Sequence, residues 1–141
     1  MTLVLLLNAA ATWFMTGVIW FVQLVHYPQF AGVGRDGFGD YHRRHTRLTT
    51  WVVLPPMIVE AATAAWLVAR PPAGAAAALL WAGLALVAVI WLSTFLLQVP
   101  RHNQLARGFD DTACARLCRT NWIRTAAWTA RAFLMFVVLA R

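Results

Sequence analysis

The sequence predicts an all-α fold: a four-helix transmembrane bundle, one membrane domain over residues 1–141, with two tandem helical hairpins as a layout. Composition points there first. Hydrophobic residues make up 61% of the chain and charged residues 12%, whereas soluble domains hold roughly 45–50% apolar and about 25% charged residues. The apolar residues also fall into four runs, and in each run the few polar side chains share one stripe.

The first run spans about residues 3–26. It is long enough for the roughly 20 residues a spanning helix needs. It has no basic n-region and is too long for a signal-peptide core, so it reads as a retained helix. Tyr27-Pro28 is expected to end it. The second span is placed at about 48–69, a short turn follows at Arg70-Pro71-Pro72-Ala73-Gly74, the third span covers about 75–99 up to Pro100, and the fourth about 121–139. Residues 28–47 and 101–120 then form two long loops.

All 12 basic residues are arginines, and the net charge is +7. Nine of the arginines lie in or beside the two long loops, against Arg70 and Arg141 on the other side. The positive-inside rule places both long loops in the cytoplasm and both termini outside, in an inner or plasma membrane. Arginines that flank hydrophobic runs in this way argue against a nucleic-acid partner. Trp51 and Trp122 are expected at the inner interface, Trp66 and Trp81 at the outer one. Cys114 and Cys118 would be reduced there; with no neighbouring third ligand, they read as packing residues rather than a zinc site.

Asp36–Glu60 organises the rest. At helical spacing Phe38, Tyr41, His42, His45, Leu48 and Val52 share one face, and Asp40, Arg43, Arg44 and Arg47 the opposite one. Glu60 follows His42 by 18 residues, about five turns, so both fall on one stripe. Pro55 and Pro56 are expected to interrupt the helix between them.

Polar stripes recur on the other spans. Asn8, Thr12, Thr16, Gln23 and His26 fall within about 80° of one another, as do Asn121, Arg124, Trp128 and Arg131; Thr94, Gln98, Arg101 and His102 fall within roughly 100°. Four such seams on one axis make a bundle with a wet or hydrogen-bonded core. His26, His42, His45 and His102 all lie at the cytoplasmic ends. Glu60 and Arg131 lie near mid-membrane, where a lone charge costs roughly 2.5–3.5 kcal/mol, so they are predicted to pair.

Each group has two readings. Glu60–Arg131 is either a brace between helices or a functional carboxylate with its anchor. The histidines are either interfacial or ligands of iron, copper or haem. Asn121 and Arg124 are either the N-cap of the fourth span and a snorkelling arginine, or an amide–guanidinium pair that recognises substrate oxygen. A weak internal repeat aligns residues 21–31 with 96–106, matching Gln23 to Gln98, Gln29 to Gln104 and Ala31 to Ala106.

Val99-Pro100, Asn103 and Leu105-Ala106, followed by Asn121, Ile123, Arg124 and Thr125, resemble the anthrone-oxygenase-like family of small four-helix membrane proteins. That family carries a V-P-x-x-N-x-x-L segment after its third helix, from which Leu105 departs by one position, and an N-x-[IV]-R-T segment opening the fourth. His26 matches a histidine near the end of its first helix. The paired histidines and Glu60 are not part of that pattern. The resemblance implies oxidation of anthrones to anthraquinones by O₂, without an established cofactor.

The expectation is therefore a membrane oxidoreductase or oxygenase acting on a hydrophobic, phenolic small molecule that enters from the bilayer. His26, Glu60 and His102 are the catalytic candidates; Gln98, Asn121, Arg124 and Arg131 bind substrate; His26, His42, His45 and His102 are the metal candidates. The alternative is a non-enzymatic carrier, channel subunit or assembly partner, which with only four spans would need to form a homo-oligomer.

Overall fold

In lipid every backbone polar group must be satisfied within the segment, which leaves long helices as the outcome for apolar runs of this length. The computed structural model, which describes residues 2–140, is all-helical among those residues. Four stretches are long and apolar enough to cross a membrane: Leu3–Gly32, Arg35–Ala69, Ala77–Leu105 and Asp111–Leu139. Arg141, assigned to the outer side by its place in the sequence, lies outside the described residues.

Five α-helices build these spans: α1 (Thr2–Phe21), α2 (Phe38–Ala69), α3 (Ala77–Ser93), α4 (Val99–Leu105) and α5 (Asp111–Leu139). A π-helical turn, Val22–His26, continues α1, and a second, Thr94–Gln98, joins α3 to α4. Each of α1 and α3 packs on both α2 and α5, which closes a four-cornered bundle.

Burial is inverted relative to a water-soluble protein. Asn8, Thr12, Gln23, His42, Glu60, Gln98, Asn121, Arg124, Thr125 and Arg131 are all buried, while Leu3, Phe21, Trp51, Leu96, Phe133 and Phe136 are exposed. Large contiguous apolar surface of this kind needs an apolar solvent. The predicted polar seams therefore do face inward. Trp51, Trp66, Trp81 and Trp122 are exposed on the outer surface of the bundle.

The structure corrects several expectations about helix ends. Pro55 and Pro56 lie inside α2 without ending it. Pro55 is exposed and Pro56 half-buried, and His42 and Glu60 on either side of them are both buried, so the stripe keeps its phase. Leu48 and Val52 are exposed; the inward face runs instead through Phe38, His42, His45, Thr49, Val53, Met57 and Glu60. Pro100 does not end the third span. It occupies the first turn of α4, where its missing N–H is tolerated.

The second long loop shrinks to residues 106–110, because α5 begins ten residues before Asn121. Asp110, not Asn121, caps that helix: its Oδ1 accepts from the Ala113 N–H at 2.7 Å. That bond holds the Asp110 carboxyl below its ordinary pKa. Cys114 is buried in the core and Cys118 packs against it, as packing residues do.

The two π-turns fall on the faint internal repeat. Tyr27 N–H bonds to the Val22 carbonyl at 3.0 Å, an i→i−5 closure that inserts one residue and rotates the chain beyond it. Gln23 lies in the first π-turn and Gln98 in the second, both buried and both against α5. Each turn is followed within two residues by proline, Pro28 or Pro100.

Candidate functional site

A charged pair stands deep in the bundle. Arg131 Nε donates to Glu60 Oε1 at 2.8 Å, and both side chains are 1% exposed. Thr12 Oγ1 donates to the same oxygen at 2.7 Å and Trp128 Nε1 to Oε2 at 3.0 Å. Arg131 also donates to the Gly83 carbonyl and, at 2.9 Å, to Asn8 Oδ1. Asn8 Nδ2 in turn donates to the Glu60 carbonyl at 3.0 Å. Every span contributes a partner. Gly83 makes this close approach feasible, since a Cβ there would meet the Arg131 guanidinium at 3.3 Å. So saturated a pair is a brace first: a carboxylate accepting three donors has little capacity left for a substrate proton.

Toward the histidine end, a cavity of about 160 Å³ opens among all four spans. Its apolar wall includes Met15, Ile19, Val22, Val53 and Met57. Tyr27, His45, Gln98, His102 and Arg124 supply the polar wall. Neither Glu60 nor Arg131 lines this cavity, and Trp128 lies at the boundary between them and it.

The imidazoles form one cluster. His26 and His45 have ring centroids 4.5 Å apart, His42 and His102 5.1 Å, and His45 and His102 5.9 Å. Phe30, fully buried on the turn Pro28–Gly32, packs edge-on against His26, His42 and His45 at 5.1–5.2 Å. The nitrogens pair off: His26 Nε2 with His45 Nδ1 at 2.9 Å, and His42 Nε2 with His102 Nδ1 at 3.0 Å.

A directed chain sets the tautomers of the second pair. Arg124 can only donate. It donates to the Tyr27 hydroxyl at 3.3 Å, which leaves the Tyr27 O–H free to donate to His102 Nε2 at 3.0 Å. His102 then carries its proton on Nδ1 and donates it to His42 Nε2. His42 in turn carries its proton on Nδ1, the one buried side-chain nitrogen or oxygen without a partner among the described residues.

At the first pair, His45 Nδ1 lies 2.9 Å from His26 Nε2 and 3.1 Å from Thr49 Oγ1. Nδ1 is thus engaged. When His45 is the donor to His26, its Nε2 is left as an acceptor; the His45 side chain lines the cavity.

Arg124 does not snorkel, and Asn121 is no cap. Arg124 is buried and donates through Nε to Asn121 Oδ1 at 2.9 Å, while Asn121 Nδ2 donates to Gln23 Oε1 at 2.8 Å. Gln23 anchors the row by donating to the Cys118 carbonyl at 3.1 Å. Asn121 thus aims the guanidinium from behind, and Arg124 is the member that reaches the cavity. Gln98 is held against Ser93 and Thr120, at 3.3 and 3.2 Å.

Of the predicted site residues, His45, His102, Gln98 and Arg124 line the cavity, His26 and His42 stand behind them in the cluster, and Asn121 supports Arg124. Glu60 and Arg131 belong to the separate brace. Sequence reasoning missed Tyr27 and Thr49 as site residues. At 100° per residue Tyr27 falls only about 20° outside the first-span seam, but in the sequence Tyr27-Pro28 reads as the stop of that span, so its hydroxyl was not counted among the inward polar groups.

The donor set was tested against a resident metal. Two nitrogens bound to one ion at about 2.0–2.1 Å stand roughly 3 Å apart, so each histidine pair has a spacing compatible with a shared ion. Among the described residues, however, no three His, Cys, Asp or Glu side chains gather into a group that could hold one. A haem macrocycle is several times larger than the 160 Å³ cavity. The residues as arranged fit neither group as a protein-enclosed centre.

Comparison with protein-family models, curated proteins and solved structures found no match to this chain.

Proposed function

We propose that this protein is a membrane oxidoreductase of the oxygenase-like kind, acting on a hydrophobic phenolic small molecule in the cavity among its four spans. The observation that carries this reading is the division of that cavity into an aliphatic wall and one polar wall with imidazole, phenol, amide and guanidinium together. Small-molecule sites have this composition: apolar lining with a few convergent polar groups. The likeness of the 99–106 and 121–125 segments to the anthrone-oxygenase-like family supports the same chemistry.

The substrate's oxygen faces Arg124, a donor already fixed by Asn121, beside Tyr27, whose own proton is held by His102. His45 Nε2 is the base that takes an acidic proton, and Thr49 and His26 hold its other nitrogen. The anion left behind is stabilised at oxygen by Arg124. O₂ accepts the electron pair. For a ring methylene, a carbon–oxygen bond forms and loss of water leaves a ketone, one O₂ per water released; a hydroquinone instead gives up two electrons and two protons to O₂, leaving a quinone and one H₂O₂. Arginine placement puts this end of the bundle on the cytoplasmic side.

The test is oxygen uptake by purified protein in nanodiscs, with anthrone and simple alkylated hydroquinones as substrates. Substrate-dependent uptake that falls by about 10²-fold or more in His45→Ala and Arg124→Met is expected. Iron, copper and haem are measured on the same sample by elemental analysis and the Soret region. Correctly folded protein with no substrate-dependent uptake above a protein-free control would overturn the enzyme reading and leave the non-enzymatic carrier or assembly partner.

A further inference from the structure

The geometry points to the class of substrate: a lipid-soluble phenol or hydroquinone with a single ring, whose ring occupies the cavity and whose alkyl tail leaves sideways between α2 and α3–α4. This rests on the oxidoreductase reading of the same cavity and narrows it.

Size is the first argument. An apolar cavity of about 150 Å³ takes one benzene ring. The cavity here is about 160 Å³, enough for a ring with small substituents and too small for three fused rings. Drug-sized ligands occupy roughly 300–1,000 Å³. Any larger molecule must leave most of its bulk outside.

The second argument is where the cavity opens. Most of its lining is buried or half-buried, but Thr50 on α2 and Val99 and Asn103 on α4 are exposed, with half-buried Thr46 and Val53 beside them. These residues form a mouth on the side of the bundle. The α2–α3 seam is also the least closely packed of the four side-by-side helix contacts. Val99 is 39% exposed, and Leu96, one turn earlier, is 68% exposed. Outside the mouth is therefore an apolar helix surface, suited to an alkyl chain in the bilayer.

Polarity is the third argument. Tyr27, His102 and Arg124 are hydrogen-bonded to one another, so the cavity's cation and its phenol stand in one cluster at the inner end, with the hydroxyls of Thr46 and Thr50 and the amide of Asn103 at the mouth. Met15, Ile19 and Met57 line it without hydrogen-bonding groups. A ring with a phenolic oxygen toward that cluster and an aliphatic substituent toward the mouth matches both walls.

The experiment measures binding apart from turnover. Wild-type protein in phosphatidylcholine nanodiscs is given a hydroquinone with a ten-carbon chain bearing a diazirine near the ring. Photolysis is followed by peptide mass spectrometry, with anthrone and untailed hydroquinone as competitors. Labelling at Thr46–Val53 and Val99–Asn103 is expected. The tailed ring should bind about tenfold or more tightly than anthrone. Val99→Trp, which adds bulk at an exposed position, should weaken it about tenfold without lowering the melting temperature.

Anthrone that competes as well as the tailed ring overturns the inference. So does label spread over the outer surface as for bulk lipid, or label confined to the α1–α2 face. Binding as expected without oxygen uptake upholds the substrate class while the oxidase reading fails. Uptake with anthrone as the preferred ligand does the reverse.

Discussion

Removing Arg131 tests the brace on which the bundle depends. Arg131→Met deletes the donor to Glu60 Oε1 and those to Gly83 O, Asn8 Oδ1 and Thr12 Oγ1. Side-chain hydrogen bonds between membrane helices average only about 0.6 kcal/mol, so four lost bonds alone would cost about 2.4. The stranded carboxylate dominates, because Glu60 is 1% exposed and would keep only Thr12 and Trp128 as donors. Breaking a buried pair from one side costs about 3–5 kcal/mol, and that is the expected loss. Glu60→Gln combined with Arg131→Met should cost less than Arg131→Met alone, since the uncompensated charge is gone. The assay is unfolding in mixed micelles under increasing dodecyl sulfate, read by circular dichroism at 222 nm (a standard helix signal). A loss below about 1 kcal/mol, or costs that add within about 0.5 kcal/mol as independent sites do, would refute the reasoning.

Three further outcomes are expected from other parts of the fold. Gly83→Val should destabilise by about 1–3 kcal/mol in the same assay, since its Cβ meets the Arg131 guanidinium at 3.3 Å and Leu134 at 3.5 Å. Asp110 has a carboxyl pKa held below 3.8 in the folded protein, so its cap contribution is full above the unfolded value and is lost as pH falls through the folded one. An acid titration of stability should show a larger loss in wild type than in Asp110→Asn, which keeps a capping oxygen at every pH. For orientation, a single thiol introduced as Pro72→Cys into a chain with Cys114 and Cys118 replaced by alanine should react with impermeant maleimide in intact cells, and Arg107→Cys only after permeabilisation. The opposite labelling would reverse the topology drawn from the arginines.

Much of the bundle's interior was legible from residue spacing. In a chain this apolar, a polar side chain within a span must face its own kind, so helical phase alone sorted Asn8, Thr12, Gln23, Glu60, Gln98, Asn121, Arg124 and Arg131 to the inside. Equal depth paired Glu60 with Arg131. Helix ends were less legible. Proline reads as a stop in water, where a broken backbone bond can be replaced by solvent; within a membrane helix the chain continues, as α2 does through Pro55 and Pro56. The Arg-rich residues 111–120 read as loop because they are polar, yet they are helical, as are residues 38–47, whose helical spacing had marked them as a lead-in, since the last turns of a span can extend past the apolar core.

The sequence by itself therefore determined the class of fold, the number of spans and which side chains avoid lipid, because hydropathy and helical period act locally along the chain. Only the tertiary structure decided how those side chains divide: a saturated Glu60–Arg131 brace at one depth, and at another a cavity with His45, His102, Tyr27 and Arg124 on its wall. The physical reason is the two π-turns and the meeting of four helices. The π-turn at Val22–His26 carries the first span on through His26, and Tyr27 just beyond it is buried against His102 and Arg124. Whether a buried polar atom is already satisfied depends on partners more than fifty residues away.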